Sequence, residues 1–144
     1  MTRLVGYLVG LIAFAAIDAV WLTFVAGPAF TAELKGLLRA SPDLVAATVF
    51  YVIYAGGLFV LAVGPALAAR SARVALVNGA ALGLTAYATF DLTCLAILEA
   101  WTWGLALPDM IWGTVLSAVA AWMAWLVASR WHDTARHDPA GRRP

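Results

Sequence analysis

The chain has 144 residues, 64% of them hydrophobic and only 12% charged, with a formal net charge of +1 and a mean hydropathy of +0.89. Soluble domains carry about 45–50% apolar and about 25% charged residues, and a chain this short cannot hide the excess in a water-surrounded core, because small domains keep much of their surface exposed. Lipid is therefore the expected solvent. The lack of a basic footprint excludes nucleic acid as a partner, and the single Cys94 excludes an intrachain disulfide and a multi-cysteine metal cluster.

A membrane-spanning helix needs about 20 mostly apolar residues, and four stretches qualify, at about 4–26, 44–66, 74–98 and 110–129. Asp18 interrupts the first, which could alternatively be read as a signal peptide. Its apolar run exceeds the about 7–15 residues of such a segment, and an acid interrupts it. Residues 27–43 follow as a polar connection bounded by Gly27-Pro28 and Ser41-Pro42 and carrying Glu33, Lys35, Arg39 and Asp43. The second stretch is free of charge, and Pro65 is expected to end or bend it. Arg70 and Arg73 mark the next connection, and Asp91 interrupts the third stretch. Residues 99–109 read as a loop with Glu99, Trp101, Trp103 and Asp109, and the fourth stretch has no charge. Residues 1–129 thus form one membrane domain, and 130–144 a flexible basic tail. The fold class is all-α: a four-helix transmembrane bundle.

Lys and Arg counts set orientation. One end collects Arg3, Arg70, Arg73, Arg130, Arg136, Arg142 and Arg143, and the other only Lys35 and Arg39. This bias puts both termini in the cytoplasm, with Trp101 and Trp103 at the outer interface and Trp131 at the inner one.

At an offset of 73 residues the first and third helices share a register: Gly6 with Gly79, Gly10 with Gly83, Asp18 with Asp91 and Leu22 with Leu95, with Phe14 opposite Tyr87. The two helices run the same way, so this is a parallel internal repeat about an axis along the membrane normal. Gly-x-x-x-Gly lets backbones approach closely in lipid. Gly6, Gly10, Gly79 and Gly83 are therefore expected to pack helix one against helix three in the cytoplasmic half, opening a wedge outward. The other reading is that each stripe packs elsewhere, or in a dimer.

Asp18 and Asp91 both fall about 11–12 Å below the outer boundary, at about 1.5 Å rise per residue. Tyr51 lies at the same depth, and Tyr54 one turn deeper on its face. An Asp at a helix centre costs about 2.5–3.5 kcal/mol for insertion, so the two acids should point inward, toward each other, the tyrosines or water. Close together, two carboxylates titrate as a unit. The functional reading is a proton or ligand site of Asp18, Asp91, Tyr51, Tyr54 and Tyr87, joined by Thr93. The bland reading is a polar clamp between helices. Asp-x-x-Trp occurs twice, as Asp18/Trp21 and Asp109/Trp112. Trp21 and Trp112 either form a pocket mouth or anchor at the interface. Thr89, Thr93 and Thr114 are expected to bond back to their own helices, and Asn78 to bridge helices. His132, Asp133, His137 and Asp138 imitate a metal cluster, but they lie in the tail, and no metal is expected. No span contains a histidine for haem, and no phosphate-cradling loop or nucleophile–base pair is visible, so no cofactor is expected either.

The stretches Ala16-Ile-Asp-Ala-Val-Trp-Leu22, Phe50-Tyr-Val-Ile-Tyr-Ala-Gly-Gly-Leu58, Tyr87-Ala-Thr-Phe-Asp-Leu-Thr93 and Asp109-Met-Ile-Trp-Gly-Thr-Val-Leu116 resemble a bacterial membrane-protein family, domain of unknown function 2177. That family has Asn where this chain has Cys94. The resemblance implies a four-helix bacterial inner-membrane protein and supplies no activity. Three functions stay open. The first is binding or proton-coupled transport of a small molecule or lipid, the second an enzyme acting on lipid, the third an accessory or assembly subunit with a structural polar layer. Four short helices enclose little volume, which makes a homodimer an option.

Overall fold

The computed structural model describes residues 2–136, with side chains through Trp131. Four helices follow one another: α1 (Thr2–Glu33), α2 (Leu44–Ala69), α3 (Ala72–Ile97) and α4 (Trp103–Arg136). All four are long and apolar enough to cross a membrane. They run up and down in turn. The connections 34–43 and 98–102 define an upper end, and the tight turn at Arg70–Ser71 lies at the lower end with the start of α1 and the end of α4.

Local chemistry sets the boundaries. The Asp43 carboxylate accepts from the Val45 and Ala46 amides at 3.0 and 3.1 Å and so caps α2. Ser71 caps α3 through the Val74 amide at 3.4 Å. Arg70 closes α2 in the left-handed conformation, φ 50°.

Two expected helix ends are absent. α1 continues through Gly27-Pro28 to Glu33, and α2 through Gly64-Pro65 to Ala69. A proline inside a helix lacks an N–H, and its ring strikes the carbonyl four residues back. Here a π-helical stretch precedes each proline, Leu22–Ala26 and Phe59–Val63, and widens the helix by one residue per turn. The Gly27 and Gly64 amides donate five residues back, to the Leu22 and Phe59 carbonyls. A Cβ at Gly27 would collide with the Leu22 carbonyl. Pro65 still leaves the Leu61 carbonyl without its helical donor. Asn78 of α3 supplies one, Nδ2 to O at 3.1 Å, and so bridges the helices as expected.

The hub is α4. Ala120, Ala121, Ala124, Ala128 and Ser117 are fully buried, and these small side chains let two neighbours approach at once. A Cβ on Gly6 or Gly10 of α1 would meet Ala128 or Ala124, whereas one on Gly79 or Gly83 of α3 would meet Ser117, Ala118, Ala121 or the Gly113 carbonyl. The expected pairing of helix one with helix three, and the wedge it would open, are therefore corrected. Both glycine stripes pack on α4, where the small residues are, that of α1 also meeting Phe59 and Leu58 of α2, and α1 packs far more on α4 than on α3. α2 packs on α3 through its π stretch and last turns, while its upper part, Leu44–Leu58, stands away from α3.

The fourth helix begins seven residues before its expected start, with Pro108 inside it, and extends through Arg136. Residues 130–136 are thus helical rather than tail, whereas His137, Asp138 and the terminal Gly-Arg-Arg-Pro lie outside the described residues. Trp101, expected at the interface, is buried instead in a small upper cluster with Leu34, Leu105 and Ala106. Its ring centroid lies 5.3 Å from that of Phe30 and 5.4 Å from that of Phe90. Trp103 remains exposed.

Candidate functional site

Three carboxylates are buried in the upper half of the bundle. Asp18 of α1, Asp91 of α3 and Asp109 of α4 are 5%, 0% and 7% exposed. Both acids expected to point inward do so. A carboxylate facing lipid lacks any partner for its charge, and the bundle interior is where hydroxyl and indole donors are found. Thr93 does not join them. It follows Asp91 by two residues, about 200° round the helix, and lies exposed on the far face of α3 with Leu84, Thr85, Ala88, Thr89, Leu92 and Ala96. Thr89 and Thr114 bond back to the carbonyls of Thr85 and Met110, at 2.6 and 2.7 Å.

Asp18 is held by two helices. The Tyr51 hydroxyl of α2 donates to its Oδ2 at 2.8 Å, and the Trp112 indole of α4 reaches its Oδ1 at 3.5 Å. Asp109 mirrors this, because the Trp21 indole of α1 donates to its Oδ1 at 3.1 Å. The two Asp-x-x-Trp motifs therefore interlock. α1 and α4 are antiparallel, so each acid lies level with the other helix's tryptophan. The two indoles stack, with centroids 4.6 Å apart and planes 8° from parallel. Trp21 and Trp112 thus face one another.

Asp91 is different. Neither of its oxygens accepts a hydrogen bond, although the side chain is wholly enclosed. The Trp101 indole N–H faces it without completing a bond. Its acidic neighbour is Asp109, which also lies within electrostatic range of Asp18. Of the inward directions open to the two acids, Asp18 takes a tyrosine, Tyr51; Asp18 and Asp91 do not pair with each other, because α4 stands between α1 and α3 and its Asp109 lies within electrostatic range of both. Among the described residues none of the three has a Lys, Arg or His partner.

A cavity of about 420 Å³ opens beside Asp18 and Asp109. Its walls are Leu22 and Phe30 of α1, Ala47, Phe50, Tyr51 and Tyr54 of α2, and Ala86, Tyr87 and Phe90 of α3. It occupies the gap where upper α2 stands away from α3. Leu22, Phe50 and Phe90 are 43%, 43% and 54% exposed, so the rim faces the lipid side. Tyr54 is anchored by Ser117, oxygen to oxygen 2.7 Å, and Ser117 lies 2.7 Å from the Gly113 carbonyl of its own helix. Phe14 packs under Tyr54, centroids 4.5 Å apart, and Tyr87 meets Tyr54 edge-on at 6.5 Å. Among the described residues neither the Tyr87 hydroxyl nor Asp109 Oδ2 has a hydrogen-bond partner. Asp109 and Ser117 are the functional candidates that reading the chain alone passed over. The signal for Asp109 was the repeated Asp-x-x-Trp.

Chemically, this site offers carboxylates, phenols and aromatic faces. It can accept protons, hydrogen bonds or a positive charge. Among the described residues no three metal-ligating side chains cluster, and Cys94 is half-buried. No curated protein and no solved structure matches the chain. One family does match, over residues 3–126, which takes in α1, α2, α3 and most of α4. With that coverage, the chain belongs to the family of predicted membrane proteins of unknown function, DUF2177.

Proposed function

We propose that this membrane protein binds a small amphiphile or lipid from the side, with its polar end at Asp18 and Asp109 and its apolar part between α2 and α3. The observation that carries this reading is the cavity of about 420 Å³. That volume is within the range of small-molecule sites, about 300–1,000 Å³. Its walls are apolar and aromatic apart from a few convergent polar groups, the pattern of a binding site. Intramembrane acids mark substrate or proton paths, and Asp18, reached by Tyr51 and Trp112, is the group we assign to proton exchange during binding or transport. The arginine bias of the lower end supports cytoplasmic termini, and with them a cavity in the outer leaflet of a bacterial inner membrane.

The test is co-purification. Protein extracted from its membrane and released from detergent in the mass spectrometer should carry a bound small molecule or lipid. Ala86→Trp, which fills the cavity from α3, should remove it. An unchanged bound species in Ala86→Trp would overturn the proposal.

A further inference from the structure

We infer that the polar end of the molecule taken by this cavity is cationic, an alkylammonium or comparable amphiphilic amine. This rests on the binding reading above and narrows it to one class of ligand.

Four independent observations converge. Asp109 is 7% exposed, lines the cavity, and has an oxygen, Oδ2, with no hydrogen-bond partner among the described residues. Asp18 lines the same cavity, and Asp91 stands behind Asp109 with both oxygens unpartnered. Among the described residues no Lys, Arg or His side chain pairs with any of the three, so none of them supplies a positive charge to this layer. Buried carboxylates are ordinarily paired or fully hydrogen-bonded. The missing partner is of the kind a ligand would bring.

The walls agree. Tyr51, Tyr54, Tyr87, Phe50 and Phe90 present aromatic rings to the cavity, and ring faces attract ammonium groups within about 6 Å of their centroids. Such attraction strengthens where water is excluded. A phosphate or carboxylate head would meet the opposite: three acids, and backbone amides already used within continuous helices. An uncharged alcohol could bond Asp109 Oδ2 or the Tyr87 hydroxyl but would leave the layer's charge unanswered. The lateral gap between α2 and α3 suits an alkyl tail lying in lipid while the head reaches the acids.

The experiment compares three probes of equal chain length, dodecyltrimethylammonium, dodecanol and dodecyl sulfate. Each is titrated into the full chain in nanodiscs of zwitterionic lipid, with empty nanodiscs as the partition blank. The expected result is saturable one-to-one binding of the ammonium probe alone, weakened about tenfold or more in Asp109→Asn and retained in Asp109→Glu. The wild-type comparison needs no variant, so a poorly folded Asp109→Asn does not decide the outcome. If dodecanol or dodecyl sulfate saturates as tightly as the cation, and Ala86→Trp abolishes that binding, the cavity reading stands and the cationic assignment falls. If no probe saturates, both fall.

Discussion

The two glycine stripes are alike in sequence and unlike in space, and alanine substitution should separate them. At Gly83 a Cβ would overlap the Gly113 carbonyl and lie 2.7 Å from Ser117 Oγ and 2.8 Å from Ser117 Cβ. All three obstacles belong to α4, and the Gly113 carbonyl is backbone, so α3 and α4 must separate by several tenths of an ångström. At Gly10 the new Cβ would find Ala124 Cβ at 3.5 Å and Leu58 Cδ2 at 3.8 Å, ordinary contact. Alanine favours a helix over glycine by about 0.5–1 kcal/mol, and overpacking costs about 1–3 kcal/mol. Displacing Ser117 would also weaken its bond to Tyr54, another 0.5–1.5 kcal/mol or so. Gly83→Ala should therefore destabilise the bundle by about 2 kcal/mol, while Gly10→Ala is neutral or slightly stabilising. At roughly 2–4 °C per kcal/mol, the melting temperature of Gly83→Ala in detergent should fall by roughly 4–8 °C. Tryptophan fluorescence and the thiol reactivity of half-buried Cys94 both follow the transition. If Gly83→Ala melts at or above the parent, or if both variants fall together, the assignment of α4 as the hub is refuted.

Three further outcomes follow from the geometry. Asp91→Leu should raise thermal stability by about 1–3 kcal/mol, because it removes an enclosed carboxylate whose oxygens have no partner; a lower melting temperature would mean that Asp91 has a bonding role. Trp21→Phe and Trp112→Phe should couple in a double-mutant cycle by about 0.5–1.5 kcal/mol, as expected for rings stacked 4.6 Å apart; additive losses would sink the interlocked arrangement. Asn78→Ala should cost about 1 kcal/mol in the parent and less in a Pro65→Ala background, where the helix can supply its own donor to the Leu61 carbonyl; equal losses in both backgrounds would show that the amide answers some other need.

Much of the fold was legible because lipid imposes few choices. Long apolar runs must be helices when no water satisfies the backbone, and an acid within such a run must turn inward. Those constraints placed four helices and buried Asp18 and Asp91. The packing partners were not legible, because a glycine stripe states only that something approaches closely. The complementary signal lay in α4, where Gly113, Ser117, Ala120, Ala121, Ala124 and Ala128 offer small residues on more than one face. Asp109 was missed as a site residue because the expected fourth span began at residue 110 and left it in a loop. Gly27-Pro28 and Pro65 misled for one reason: a proline's penalty is local, and a π turn before each Gly-Pro pair accommodates it. Thr93 was misplaced by proximity in sequence alone, since two residues along a helix reach its opposite side.

Because the hub is also the final span, assembly must wait for it. As the chain emerges, α1, α2 and α3 enter the bilayer in that order, and the surfaces that α1 and α3 reserve for α4 meet only acyl chains until α4 arrives. Asp18 has Tyr51 from α2 early, but its second donor, Trp112, arrives last. Three spans made without the fourth would be an incomplete ring around an empty centre, exposing glycine faces and unmatched acids to the membrane's quality-control proteases.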